Sequence, residues 1–155
     1  MASTKTYSDK QEKLVAKHVN GKQISGSGAR PFAPGDVECD DWLIECKTHV
    51  SPGKKISFKA DVWEKIQQEA MIRHKYPAYV VDDGSQLLSN QRVMFSLCPE
   101  DLSNLPKENI QRFVKAAITF SVEDTLSSSV LYEAFWNKKT VYIVSLKYFE
   151  QLFSK

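Results

Sequence analysis

Asp36, Glu45 and Lys47 are the residues of this chain best suited to chemistry. They crowd into one stretch, Gly35-Asp36-Val37-Glu38-Cys39-Asp40-Asp41-Trp42-Leu43-Ile44-Glu45-Cys46-Lys47. Side chains alternate in character on either side of Asp40-Asp41, the pattern of a β-hairpin with its turn at that pair. Centred there, Cys39 falls opposite Trp42, Glu38 opposite Leu43 and Asp36 opposite Glu45. Val37, Cys39, Trp42, Ile44 and Cys46 then share one face, apolar enough to pack on a core. Asp36, Glu38, Leu43, Glu45 and Lys47 share the other. Two carboxylates facing each other across a ladder repel, which ordinarily destabilises a sheet. A divalent cation between them reverses the sign, and Lys47 reaches the same spot. The stretch has the outline of a metal-dependent active site.

The neighbouring segments must position that hairpin. Residues 8–20 read as a helix, with Ser8 as N-cap, Gln11 completing a capping box and Gly21 as C-cap. Leu14, Val15 and Val19 give it an apolar face, and Glu12 lies at the edge of that face, able to point at whatever the helix covers. Residues 22–34 read as a loop, interrupted by Gly26, Gly28, Pro31 and Pro34. Within it, Ser25-Gly26-Ser27-Gly28-Ala29-Arg30 offers amide N–H groups, hydroxyls and an arginine to a phosphate. It lacks the Gly-Lys-Ser/Thr ending of a nucleotide-triphosphate loop, which argues against nucleotide hydrolysis. After Lys47 the chain turns at Pro52-Gly53. Ser57 then caps a helix from about Phe58 to His74, with Ala60, Trp63, Ile66, Ala70 and Met71 as its buried stripe. Ala78 to Asp82 reads as a buried strand. Helix, two strands, helix and strand predict an α/β domain with the acids at one edge of a sheet.

Beyond residue 83 the signals are weaker. Strands are expected at 91–97 and 140–145, short helical pieces within 99–113, a polar loop at 121–129 and an aromatic-rich helix at 146–153. Trp136, Tyr148, Phe149 and Phe153 suit either a core or a subunit interface.

Composition sets the frame. A chain of 155 residues is expected to form one domain with a real core. Its beginning has no apolar signal-peptide region, and no apolar run has the length of a membrane span, so a cytoplasmic protein that is not secreted is expected. Cys39, Cys46 and Cys98 lack zinc-ligand spacing and read as reduced thiols. Net charge is only +2, but its distribution is uneven. Basic residues gather in 1–30 and 47–75, on either side of the acidic hairpin, a pattern suited to cations at the centre and an anionic polymer around them.

These residues carry a resemblance. Asp36, followed after a short interval by Glu45-Cys46-Lys47, is similar to the PD-(D/E)xK motif of restriction-endonuclease-like nucleases. The ordered set Gln11-Glu12-Lys13, Gly21-Lys22, Ser25 to Ala29, Gly35-Asp36-Val37, Leu43 to Lys47, Trp63 to Ala70 and Pro77 to Val81 resembles archaeal and phage Holliday junction resolvases and phage endonucleases. It spans about residues 8–82. It departs from the motif in one place, where Gly35 separates Pro34 from Asp36.

The resemblance implies a restriction-endonuclease-like core, a central mixed β-sheet flanked by helices. Residues 83–155, beyond the resemblance, are expected to complete the sheet and are the candidate place for a dimer interface. It implies that Asp36 and Glu45, with the backbone carbonyl of Cys46, ligate Mg²⁺ or Mn²⁺. Lys47 would orient the attacking water and Glu12 would complete the metal shell. Ser27, Arg30, Lys54, Lys55 and Ser57 are the expected DNA contacts. The implied activity is divalent-metal-dependent hydrolysis of phosphodiester bonds in branched DNA by a homodimer. The alternatives are a restriction, repair or nicking nuclease on linear duplex and a non-catalytic DNA-binding protein on the same fold.

Overall fold

The strand Trp42–Lys47 is the axis of the structure, because it pairs on one side with its hairpin partner and on the other with a strand from across a helix. The computed structural model describes residues 4–24, 35–47, 55–82, 94–99, 111–113, 118–121, 130–136 and 139–145. Their elements run α1 (Thr4–His18), β1 (Lys22–Gln23), β2 (Val37–Glu38), β3 (Trp42–Lys47), β4 (Lys55–Phe58), α2 (Ala60–Ile72), β5 (Tyr76–Asp82), β6 (Met94–Pro99), β7 (Gln111–Phe113), β8 (Ile118–Ser121), β9 (Val130–Trp136) and β10 (Lys139–Ser145). One mixed sheet has the strand order β1-β2-β3-β5-β6-β10-β9-β7, and β4 pairs with β8 in a second, two-stranded sheet. β3 runs parallel to β5, with Glu45 beside Tyr79 and Cys46 beside Val80. The fold is α/β, as the element order predicts.

Both faces of the central strands are covered. Leu43, Tyr79, Val81, Val141 and Ile143 pack with Trp63, Ile66 and Ala70 of α2. Their neighbours in sequence, Trp42, Ile44, Cys46, Ala78, Val80, Tyr142 and Val144, pack with Val15, Ala16 and Val19 of α1. Strands buried on both faces need near-continuous apolar runs, and β5 and β10 have them. The apolar hairpin face inferred from alternation is the face under α1. The opposite face is covered by α2, so Leu43 is fully buried and Glu45 is only 9 % exposed. Burying a side chain such as Leu43 or Ile66 contributes about 1.5–3 kcal/mol.

The hairpin has the expected register. Val37 pairs with Ile44 and Glu38 with Leu43, and the Cys39 N–H donates to the Trp42 carbonyl at 3.1 Å across the Asp40-Asp41 turn. That turn is tied to the connection between α2 and β5. Lys75 Nζ donates to the Cys39 carbonyl at 2.8 Å, the Tyr76 N–H donates to the Asp41 carbonyl at 2.8 Å, and the Trp42 and Tyr76 rings lie 5.3 Å apart. Glu38 takes no part in the acid cluster described below. Its carboxylate lies among Lys22, Arg73 and Lys75, at 3.7, 3.1 and 3.5 Å.

Several boundaries differ from expectation. α1 already includes Thr4, so Ser8 is inside the helix and Gln11 belongs to no capping box. At its other end the left-handed residue is Asn20 (φ 53°), not Gly21. The Gly21 N–H reaches back to the Ala16 carbonyl at 2.9 Å, the longer of the two bonds in a Schellman ending. Gly21 is required for a different reason: a Cβ there would run into the Glu38 carbonyl oxygen of β2.

Lys22–Gln23 forms a short strand where a loop is expected. Ser57 lies in β4, paired with Thr119 of β8, and is not a helix cap. α2 starts instead after Lys59, with no side-chain cap. Met71 is 72 % exposed and leaves the buried stripe. Gln111–Phe113 is a strand where helical pieces are expected, and β8 and β9 were not anticipated. The helix expected at 146–153 lies outside the described residues.

Gly21→Ala should destabilise the protein by about 1–3 kcal/mol in urea unfolding, the usual cost of forcing a methyl group into packed structure. Asn20→Gly should be neutral or slightly stabilising, because its left-handed backbone suits glycine.

Candidate active site at the end of strand β3

The site begins with a glycine. Gly35 has φ +64°, and a Cβ there would stand 3.0 Å from Leu43 Cγ, so both conformation and space call for glycine. Its N–H donates to Glu69 Oε2 of α2 at 2.9 Å. The turn delivers Asp36 beside β3, where main-chain bonds hold it on two sides. The Asp36 N–H donates to the Ile44 carbonyl, and the Asp36 carbonyl accepts from the Ile24 N–H, each at 2.9 Å.

The β2–β3 ladder ends at Val37 and Ile44, one step short of the expected pairing of Asp36 with Glu45. Asp36 turns its carboxylate onto the strand instead, and Oδ2 accepts the Cys46 N–H at 2.9 Å. A side chain thus completes the ladder where the partner strand has stopped.

Glu45 lies on the α2 side of β3, with Lys47 Nζ 3.5 Å from its Oε1. Burial pushes its carboxyl up to about 7, and the nearby Asp36 carboxylate pushes in the same direction. Lys47 and Lys65 oppose that shift, while Glu69 adds to it. Beside Glu45 on β5, Tyr79 is buried and its hydroxyl is raised to about 12, chiefly by loss of water. The Lys59 N–H, just before α2, donates to that hydroxyl.

Glu12 approaches from α1. Burial, and then the Asp36 charge, push its carboxyl up to about 7. Gln23 of β1 steadies it, its Nε2 donating to Glu12 Oε1 at 3.2 Å and to Asp9 Oδ1 at 2.8 Å. The residue before Glu12 is held more firmly. Gln11 is fully buried, and its Nε2 donates to the Lys47 carbonyl at 2.7 Å and to the Val80 carbonyl at 3.5 Å. α1 therefore fixes the backbone of Lys47 directly.

Glu12, Asp36, Glu45 and Lys47 thus converge from α1, the turn before β2, and β3. The Cys46 thiol points to the other face, under α1, and burial raises it well above the usual thiol range. Cys39 is likewise a free thiol. Of the expected DNA contacts, Ser27, Arg30 and Lys54 lie outside the described residues. Lys55 and Ser57 lie on β4, whose last residue is Phe58, and the N-cap of α2 is Lys59 rather than Ser57.

Gln11, Gln23 and Glu69 were not expected at the site. A local signal existed only for Gln11, as the neighbour of Glu12 on a helix. The contacts of Gln11 and Glu69 join positions far apart in sequence, which no spacing rule reveals.

Among the described residues, no three histidine, cysteine, aspartate or glutamate side chains cluster as a ready-made metal cage. A hard cation such as Mg²⁺ does not need one: it commonly takes one or two carboxylates and keeps its waters. Compared with protein-family models, curated proteins and solved structures, the chain matches none.

A carboxyl raised in the folded state stabilises the protein below its unfolded value, 4.5, and that contribution is lost as pH rises through about 7. Glu45→Gln removes the titration. In the presence of chelator, the variant should melt a few degrees above the wild type at pH 8, with the difference shrinking towards pH 4. Paired thermal melts across that range provide the check.

Proposed function

We propose that this protein is a divalent-metal-dependent endodeoxyribonuclease of the restriction-endonuclease-like type, acting on branched DNA. The observation that carries this reading is the convergence at the end of β3. Asp36 is bonded to the Cys46 N–H, Glu45 is buried with a raised carboxyl, and Lys47 stands 3.5 Å from Glu45. A buried carboxylate whose proton affinity is raised by a neighbouring negative charge weakens a fold unless a positive charge joins it.

The donor set fits Mg²⁺ or Mn²⁺: Asp36 and Glu45 supply hard oxygens, and lysine tempers the charge without ligating. Along an extended strand the N–H and C=O of one residue point to the same side. The Cys46 carbonyl therefore faces the gap beyond β2, on the side where its N–H meets Asp36, and is suited to be a third ligand. A cation bound there would draw charge from the scissile phosphate and favour attack by water.

The chain's own groups do the rest. Lys47, its backbone anchored by Gln11, presents an ammonium group beside Glu45 that can orient the attacking water and hold the charge growing on the phosphoryl oxygens. Glu12 completes the acid set from α1. Cutting two strands placed symmetrically about a junction calls for two such sites, which a homodimer supplies. No helix among the described residues is long and apolar enough to cross a membrane.

The test is cleavage of a labelled four-way junction beside its linear arms, with Mg²⁺ and with chelator. Paired symmetric cuts in the junction alone, lost on chelation, are expected. Lys47→Ala and Asp36→Asn should each lower the rate by about a hundredfold or more while leaving the protein folded and able to bind the junction. Turnover unaffected by Lys47→Ala or by chelator would sink the proposal. Equal cutting of the linear arms would keep the chemistry and move the substrate to ordinary duplex.

A further inference from the structure

We propose that Glu69 is a positioning residue for Asp36: its carboxylate, reaching across from α2, grips the Gly35 amide and thereby sets the Asp36 carboxylate against Cys46. This rests on the reading of Asp36 as a cation-holding group. Glu69 lies on α2 next to the buried Ala70, with its side chain 20 % exposed, and it bonds a backbone amide rather than only water. Hydrogen bonds to ionised acceptors are about twice as strong as neutral ones. Lys65, one turn earlier, stands 3.8 Å from the other carboxylate oxygen.

The bond falls where it has most leverage. Gly35 is the joint that aims Asp36, and glycine has the widest conformational freedom of any residue. Leu43 closes one side of that joint and Glu69 holds the other. On the far side of Asp36, main-chain bonds to Ile44 and Ile24 fix the residue's own backbone. The carboxylate direction is thus set by a chain of contacts running α2, Glu69, Gly35, Asp36, Cys46.

Two variants separate reach from charge. Glu69→Asp keeps the charge and withdraws the oxygens by one methylene, whereas Glu69→Gln keeps the reach and an acceptor oxygen but loses the charge. Amide proton shifts of Gly35 and Cys46 report the two hydrogen bonds, and a Mn²⁺ titration reports the consequence. In Glu69→Asp both amide protons should move upfield, with Mn²⁺ affinity falling about ten- to a hundredfold, the usual range for lost support of a ligand. On the four-way junction, kcat should fall with KM little changed. Glu69→Gln should keep the Cys46 amide shift and most of the affinity, with the Gly35 amide moving upfield by less than in Glu69→Asp.

A Cys46 amide that does not move in Glu69→Asp, or that moves equally in both variants, overturns the proposal even if both melt at lower temperature. A wild type that neither binds Mn²⁺ nor cuts DNA would instead refute the nuclease reading. The amide shifts would still decide the linkage between Glu69 and Asp36.

Discussion

The hydrogen bond from the Cys46 N–H to the Asp36 carboxylate joins the architecture of this protein to its chemistry. β2 stops at Glu38 and Val37, while β3 continues to Lys47. The last residues of β3 therefore project past their hairpin partner, with backbone groups that a longer β2 would have satisfied. Asp36 meets one of these with a side chain, and in doing so places its charge among Glu45, Glu12 and Lys47. A ladder extended by one more rung would have consumed the same groups and closed the gap.

Holding that gap open has an energetic consequence. Keeping Glu45 ionised at neutral pH costs the fold on the order of a few kcal/mol, the amount that burying one or two apolar side chains contributes. The two-sided core offsets it. Trp63, Ile66 and Ala70 on one face, and Val15, Ala16 and Val19 on the other, clamp the same strand that carries the charge. Gln11 and Glu69 belong to this arrangement, since each helix sends one polar side chain through to the backbone of the site. The helices are therefore both the source of stability and the frame that holds the acids together.

Much of this was legible in the sequence because hairpin alternation is a local property. Val37, Ile44 and Cys46 could be assigned to one face, and Asp36, Glu45 and Lys47 grouped together, without knowing what covered either side. The short strands were not legible, because two residues at Lys22–Gln23 or three at Gln111–Phe113 are too few to show a period. β4 resembled a helix start because Ser57 precedes an amphipathic run, and only its pairing with β8 shows otherwise. Gln11 read as a capping residue by its spacing from Ser8, whereas its partner is the Lys47 carbonyl at the end of β3. Tertiary hydrogen bonds of this kind leave no mark on neighbouring residues.

The sheet's outer strand on this side carries a last consequence. β1 is two residues long, and one of them, Lys22, is charged and exposed. A border this short, with a lysine on it, offers little template for strand addition and resists aggregation through its edge. Gln23, the other residue, spends its side chain on Glu12 and Asp9. Among the described residues, the acids are thus bordered by a margin that discourages edge-to-edge growth of the sheet.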